Sequence, residues 1–129
     1  MTPGAPVLAT PRGATRAFCD AVNRGELERA CACFTRDGCL ITPDATAVEG
    51  REAIGAVLAQ MVAAGARVSV QVSAVLAAGD VALGREHWTI ESGAPGISSF
   101  ARESTPTLVL RRVDEQWKLA IAAPWGWGG

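Results

Sequence analysis

The side chain best suited to acid–base chemistry in this chain is His87, which lies in the stretch GREHWTIES. A histidine titrates near neutral pH, so it can give or take a proton under ordinary conditions. The stretch alternates as a β-strand does, with successive side chains on opposite faces. One face carries Arg85, His87, Thr89 and Glu91, and the other carries Gly84, Glu86, Trp88 and Ile90. Only one set can line a pocket, and the sequence leaves open which; His87 can equally lie on an outer or dimer-forming surface.

Acidic residues elsewhere can support such chemistry. Glu103 follows Arg102 on the next predicted strand, and an antiparallel neighbour can bring one of these two side chains beside His87. A histidine oriented by a carboxylate is an arrangement used by general bases, while the alternative is a charge pair across an exposed face. Asp44 follows Pro43 and can reach the mouth of a pocket, but aspartate after proline is also typical of an ordinary turn.

Large side chains supply the candidates for contact with an apolar ligand. Trp125 and Trp127 lie in the glycine-rich end PWGWGG, where indole rings can stack on a flat ligand or close the end of a barrel. We predict ligand contacts from Trp88, Arg102, Trp125, Phe18 and Met61. Phe18 and Met61 also lie in apolar stripes at helical spacing, for which packing in the core is the simpler explanation.

Helices in the first half and strands in the second must position these residues. Helical spacing predicts three helices, from Thr10-Pro11 to about Asn23, from about Leu27 to Asp37-Gly38, and from about Ala53 to Gly65. Strand patterns follow at 39–42, 67–78, 81–91, about 100–112 and 117–123, and residues 44–50 are predicted as a loop. Asp114, Glu115 and Gln116 are predicted as the turn of a hairpin that spans residues 105–123.

This order predicts an α+β fold. We expect three helices of the N-terminal half to pack on a strongly curved, mostly antiparallel sheet, which forms a cone with an interior pocket. The single domain is predicted to span residues 13–126, with a flexible lead-in at 1–12 and a short tail at 127–129.

Composition excludes several classes of protein. The net charge is −1, and the basic residues are scattered, so nucleic-acid binding is not expected. The apolar runs fall short of the roughly 20 residues that a bilayer requires, and the N-terminus lacks the pattern of a secretory signal. The four cysteines, at 19, 31, 33 and 39, lack the spacing of a zinc site. We therefore expect no metal, no membrane contact, and free thiols in a reducing cytoplasm.

A family resemblance rests on three stretches, FCDAVNRGELERACACFTRDG, VEGREAIGAVL and QWKLAIAAPWG. In their order and spacing they resemble the nuclear transport factor 2-like superfamily, and within it the SnoaL-like and ketosteroid isomerase-like small proteins. The likeness covers roughly residues 14 to 126. It implies a curved-sheet cone with an interior pocket and a homodimer that forms through the outer face of the sheet.

The resemblance also implies a function. SnoaL-like proteins suggest binding of a hydrophobic or aromatic metabolite of the polyketide type, with an acid–base isomerisation, cyclisation or related step and no cofactor. His87, Glu103 and Asp44 are then the candidate catalytic groups. In ketosteroid isomerase-like members a phenol stands where this chain has Phe18, and an acid where it has Thr42, so that machinery is not carried over. The alternatives are a non-catalytic carrier of the metabolite and a structural dimerisation domain.

Overall fold

The computed structural model of the protein describes residues 9–42, 44–92 and 100–125; the side chains of residues 92 and 100–102 are outside this description. The helices are α1 (Pro11–Asn23), α2 (Leu27–Ala32) and α3 (Arg51–Ala63). The strands are β1 (Phe34–Ile41), β2 (Ala47–Glu49), β3 (Arg67–Ala78), β4 (Val81–Ser92), β5 (Phe100–Ser104), β6 (Thr107–Val113) and β7 (Gln116–Ala122). Helix α1 begins at Pro11, within the segment that we predicted as a lead-in.

The strands form one open, curved sheet with the order β2-β1-β7-β6-β4-β3. Strand β5 pairs with the second half of β4, on the same edge of β4 that β6 occupies in the first half. Only β1 and β7 run parallel; the other pairs of described strands are antiparallel. The predicted α+β fold, with helices on a curved and mostly antiparallel sheet, is therefore confirmed.

The start of α1 follows from its first residues. The Thr10 hydroxyl accepts a hydrogen bond from the Gly13 N–H (3.0 Å), and Pro11 occupies the first helical position, where its missing N–H costs nothing. The buried face of the helix includes Ala14, Phe18 and Val22, which recur at helical spacing. The predicted boundaries of this helix are confirmed.

The end of α2 was predicted wrongly. The helix stops at Ala32, and β1 begins at Phe34, five residues before the predicted strand. The reason is tertiary, because β1 pairs in parallel with β7 from Phe34 opposite Leu119, and the Leu119 N–H donates to the Cys33 carbonyl (2.7 Å). The Lys118 ammonium also donates to the Ala32 carbonyl (2.7 Å) at the helix end. Sheet pairing thus overrides a continued helical pattern.

Two other connections differ from the prediction. Residues 47–49, predicted as loop, form the short strand β2, which pairs with the end of β1. The single strand predicted over about 100–112 is two strands, β5 and β6, with Pro106 between them. Proline has no N–H to give to a ladder, but its carbonyl accepts from the Glu86 N–H (3.1 Å). This hydrogen bond holds the break against β4, and β5 and β6 both pair with β4.

The β6–β7 hairpin turns on two residues. Asp114 (φ 50°) and Glu115 (φ 66°) both lie in the left-handed region, as a type I′ turn requires. Gln116, predicted as part of the turn, belongs to β7 and pairs with Val113.

Replacing Glu115 with glycine is expected to raise the free energy of unfolding by about 0.5 kcal/mol, because glycine adopts positive φ without a Cβ clash. The midpoint of urea unfolding measures the gain. Glu115→Ala is the control, since it removes the same charge but keeps the Cβ atom. A glycine variant no more stable than the alanine variant would contradict this interpretation of the turn.

The core lies between the helices and the inner face of the sheet. Its largest fully buried side chains are Trp88, Phe18, Phe34, Leu40, Ile54, Leu58, Leu108, Leu110 and Leu119. The pocket predicted inside the cone stays a prediction.

Among the described residues, the helices are too short or too polar to cross a membrane.

Candidate functional site

Strand β4 decides which side chains face the interior. Its burial alternates without interruption from Val81 to Glu91, and Gly84, Glu86 and Trp88 lie on the inner face. Arg85 and Glu91 are exposed on the outer face. The choice that the sequence left open is therefore resolved, and the inner set contains one ionisable residue.

That residue is Glu86, whose side chain is only 2% exposed. The Trp88 indole N–H donates to its Oε1 (2.8 Å), and the Thr15 hydroxyl of α1 donates to its Oε2 (3.0 Å). Burial raises the pKa of the Glu86 carboxyl, and the hydrogen bonds from Trp88 and Thr15 act in the opposite direction. Both partners are neutral donors, and no Lys, Arg or His of the described residues forms an ion pair with Glu86. The carboxyl is therefore partly desolvated without compensation by a cation.

Gly84 makes room for this carboxyl. A Cβ atom on Gly84 would lie 2.6 Å from Glu86 Oε2, well inside van der Waals contact. The same Cβ would lie 3.5 Å from Leu110 Cδ1. A glycine two residues before Glu86 thus lets the acid fold back over the inner face of its own strand.

Aromatic rings lie next to the carboxyl. The Phe18 and Phe34 rings are 5.4 Å apart and nearly perpendicular, and the Phe18 and Trp88 rings are 6.0 Å apart and tilted. These are the separations that aromatic pairs prefer. Phe18 and Trp88, both predicted to contact a ligand, are fully buried here, and Met61 is partly buried at the edge of the same core.

The C-terminal part of the described chain packs against this core. Trp125 is buried, and the Ser104 hydroxyl donates to the Pro124 carbonyl, which ties the end of the chain to β5. Trp127 lies outside the described residues. Both roles considered for Trp125, contact with a ligand and closure of one end of the fold, stay predictions.

The predicted histidine–carboxylate pair is present, but on the outer face of the sheet. His87 Nε2 lies 3.2 Å from Glu103 Oε1, and the two side chains are 43% and 70% exposed. Arg102 is opposite Ile90 in the register of β4 and β5, and its side chain is outside the described part of the structure. The roles predicted for these residues stay predictions, and the geometry separates the pair from Glu86.

Asp44 is part of a local turn. The Thr42 hydroxyl donates to its Oδ1, and hydrogen bonds from Thr42 and then Thr46 hold the Asp44 pKa below its usual value. The intervening Ala45 has a φ of 65°. The side chain is exposed, and its hydrogen bonds are those of an ordinary turn.

The cysteines are all free thiols. Burial, followed by the nearby Glu86 carboxyl, raises the Cys19 pKa far above its usual value, and burial raises the Cys33 pKa to about 11. Thiols in such surroundings are poor nucleophiles. Among the described residues no group of His, Cys, Asp or Glu is arranged to hold a metal ion.

The chain is similar to a known protein family. The profile of the SnoaL-like domain matches residues 15–119. The chain belongs to the SnoaL-like domain family. No curated protein sequence matches this SnoaL-like protein at a significant level.

Solved structures with the same fold include three that resemble most of the chain. A ketosteroid isomerase-like protein from Erwinia carotovora atroseptica is 22% identical, with 90% of this chain and 94% of that chain covered and a TM-score of 0.73. An NTF2-like protein with a cystatin-like fold from Novosphingobium aromaticivorans is 21% identical, with 88% and 78% covered and a TM-score of 0.73. A candidate dehydratase of the NTF2-like family from Streptomyces avermitilis is 22% identical, with 86% and 91% covered and a TM-score of 0.72. At these identities the likeness establishes the fold.

Sequence reasoning missed the cluster around Glu86. Thr15 and Cys19 were seen as part of a helix, and Gly84 and Glu86 as one face of a strand. The sequence did contain a signal for this cluster, namely the residues that share a strand face with Glu86. Ala82, Trp88 and Ile90 make that face the more apolar of the two. A single acid in an apolar set is rare enough to mark a candidate site.

Proposed function

We propose that this SnoaL-like protein binds a hydrophobic, aromatic metabolite of the polyketide type inside the cone and assists a proton transfer there. The reaction is an isomerisation, cyclisation or related step of natural-product biosynthesis that needs no cofactor. Membership of the SnoaL-like family supports this class of function. So do two structures with the same fold, one named a ketosteroid isomerase-like protein and the other a candidate dehydratase of the NTF2-like family.

The observation that carries the proposal is the buried Glu86 carboxyl. Desolvation raises the pKa of this carboxyl above its usual value, which makes the carboxylate a stronger base for a proton transfer. Trp88 and Thr15 hold the two oxygens in fixed positions. Phe18, Phe34 and Trp88 offer aromatic surface beside it for a flat substrate.

In this proposal a substrate displaces part of the contact between α1 and β4. The Glu86 carboxylate takes a proton from a carbon or hydroxyl group of the substrate. As the carboxylic acid, it returns the proton to a second position of the same molecule. Trp88 and Thr15 are positioning residues, because their hydrogen bonds hold the two oxygens and stabilise the carboxylate that is present before the first transfer and after the second.

His87 with Glu103, and Asp44, remain the candidates named from the sequence. For the outer pair, the 3.2 Å contact supports a general-base role only if the ligand binds on the outer face of the sheet. The carrier alternative is favoured by the apolar character of the inner wall, where Glu86 is the only charged residue among those described as buried.

We also propose that the protein forms a homodimer through the outer face of the sheet and works in the cytoplasm. An outer apolar row supports the dimer, since cross-strand neighbours run from Leu76 to Leu83, Val109 and Ile121 across four strands. Leu76, Leu83 and Ile121 are exposed, unlike most large apolar side chains. The free thiols fit a reducing compartment.

The proposal is tested by titrating polycyclic phenols and quinones, beginning with 1,8-dihydroxyanthraquinone, while tryptophan fluorescence and product formation are followed. We expect Glu86→Gln to keep binding within about threefold and to lose turnover by about 10²- to 10⁴-fold, the usual contribution of a general acid–base. His87→Ala and Glu103→Ala are the matched outer-face variants. Loss of turnover in these two alone would assign the chemistry to the outer pair. Binding without turnover in the parent would favour the carrier.

A further inference from the structure

Strand β3 leaves part of a sheet edge uncovered. It is the last strand in the order of the sheet, it runs for 12 residues from Arg67 to Ala78, and its described partner is β4 alone. An edge strand presents unpaired N–H and C=O groups, which are a template for another strand.

The register of the hairpin tells which groups point outward. Gly79 and Asp80 connect β3 to β4 as a two-residue loop, so Ala78 and Val81 form the hydrogen-bonded pair next to the turn. Hydrogen-bonded pairs then alternate along the ladder, and Leu76 belongs to one of them. The N–H and C=O groups of Val75 and Ala77 therefore point away from β4.

Side chains of helix α1 form hydrogen bonds with the backbone groups in the other half of this edge. The Asn23 amide donates to the Val68 carbonyl (2.8 Å) and accepts from the Val68 N–H (2.7 Å). The Arg12 guanidinium donates to the Val72 carbonyl (2.6 Å). A bulge between Val72 and Ala74 separates this covered half from the residues that follow. Beyond the bulge, no side chain of the described residues binds the edge of β3.

The uncovered segment, residues 74–78, has the sequence AVLAA. It contains no charged residue and no proline, which are two of the devices that protect an edge strand. Leu76, in its centre, is 72% exposed, more than any other large apolar side chain described. An exposed edge of this kind is expected to have a partner.

We propose that two copies of this chain pair through residues 74–78 of β3, antiparallel and centred on Leu76. In this register the Val75 and Ala77 groups of one copy bond to the Ala77 and Val75 groups of the other, which makes four backbone hydrogen bonds. Leu76 then faces Leu76 of the second copy across a two-fold axis. The segment is self-complementary because it is uncharged and its outward groups are symmetric about Leu76. This contact extends the sheet edge to edge and does not depend on the outer-face contact or on the ligand.

Cross-linking tests the pairing. Leu76 faces its own copy as a non-hydrogen-bonded pair, with Cα atoms about 4.5 Å apart, which is within the range of a disulfide. We expect Leu76→Cys to form disulfide dimers in most of the protein under mild oxidation. Leu83→Cys is the matched control, because in the edge contact its two copies are separated by three strand spacings, about 14 Å, so that only the outer-face contact could join them. Cross-linking of Leu76→Cys no greater than that of the parent would overturn the proposal. Cross-linking of Leu83→Cys alone would also overturn it, and would support a contact through the outer face instead.

A second variant tests the hydrogen bonds themselves. Ala77→Pro removes an N–H that points away from β4, so the β3–β4 hairpin keeps its ladder and proline is tolerated at an edge. We expect the dissociation constant of this edge contact to rise at least tenfold; analytical ultracentrifugation measures it as dimer formation or, when outer-face dimers are present, as their association into tetramers. Ala77→Ser retains the N–H and is expected to leave the constant unchanged. A parent that shows no association through this edge at about 100 μM protein, or equal constants for both variants, would overturn the proposal.

Discussion

Replacing Phe18 with alanine is expected to lower the free energy of unfolding by about 3–5 kcal/mol. The ring is 1% exposed and contacts both Phe34, at 5.4 Å in an edge-to-face arrangement, and Trp88, at 6.0 Å. Its loss leaves a cavity at the junction of α1, β1 and β4, which surrounding side chains can fill only in part. Chemical denaturation in urea at neutral pH measures the change.

Two further variants separate aromatic contact from simple volume. Phe18→Leu keeps most of the apolar volume, and we expect it to lose less than half as much stability as Phe18→Ala. Phe34→Ala and the double variant of Phe18→Ala with Phe34→Ala complete a double-mutant cycle. We expect it to give a coupling energy of about 0.5–1.5 kcal/mol for the ring pair. A loss below about 1 kcal/mol in Phe18→Ala would mean that the ring borders open space, and would favour its predicted role as a ligand contact.

The features that the sequence predicted well are those controlled by nearby residues. The cap at Thr10 and Pro11 defines the start of α1, and Gly79-Asp80 marks the turn between β3 and β4. In both cases the determining interactions join residues within a few positions of one another. Local chemistry of this kind is visible before any fold is known.

Two of the features predicted wrongly depend on distant partners, and the third depends on one local residue. Phe34 is a strand residue because Leu119 lies beside it, and residues 47–49 are a strand because the end of β1 is available to pair. Pro106 interrupts a continuous strand pattern between β5 and β6. In the first two cases a contact between separate parts of the chain outweighs the local pattern.

The candidate site was predicted in its parts and not in its position. Alternation along β4 put His87 and Glu86 on opposite faces, and strand pairing predicted that Arg102 or Glu103 could lie beside His87, where the structure places Glu103. The face that turns inward is set by where α1 packs, which residue spacing does not reveal. Thr15 reaches Glu86 from 71 positions away in the sequence, so no local pattern could have joined them.

Replacing Glu86 with glutamine is expected to change how stability depends on pH. Burial raises the folded-state pKa of this carboxyl above its unfolded value, so between these two values the folded protein binds more protons than the unfolded chain. The free energy of unfolding of the parent therefore falls as pH rises from about 4.3, the unfolded value, to the raised folded value. The decline amounts to about 1.4 kcal/mol for each pH unit that separates the unfolded and folded pKa values.

The glutamine variant should lack this decline. Its amide can accept from Trp88 and donate to the Thr15 oxygen, so the neutral acid is replaced with little change in packing. The two proteins are expected to have similar stability below pH 4, and the variant should be the more stable at pH 7. Urea unfolding over pH 4–8 measures the difference, and Glu91→Gln, an exposed acid on the outer face of the same strand, is the control. Parallel curves for the parent and Glu86→Gln would show that the carboxyl ionises without penalty, and the proposed proton transfer would lose its basis. A more stable variant that has lost turnover would instead mean that the parent retains a buried acid at the expense of stability, as residues kept for function often do.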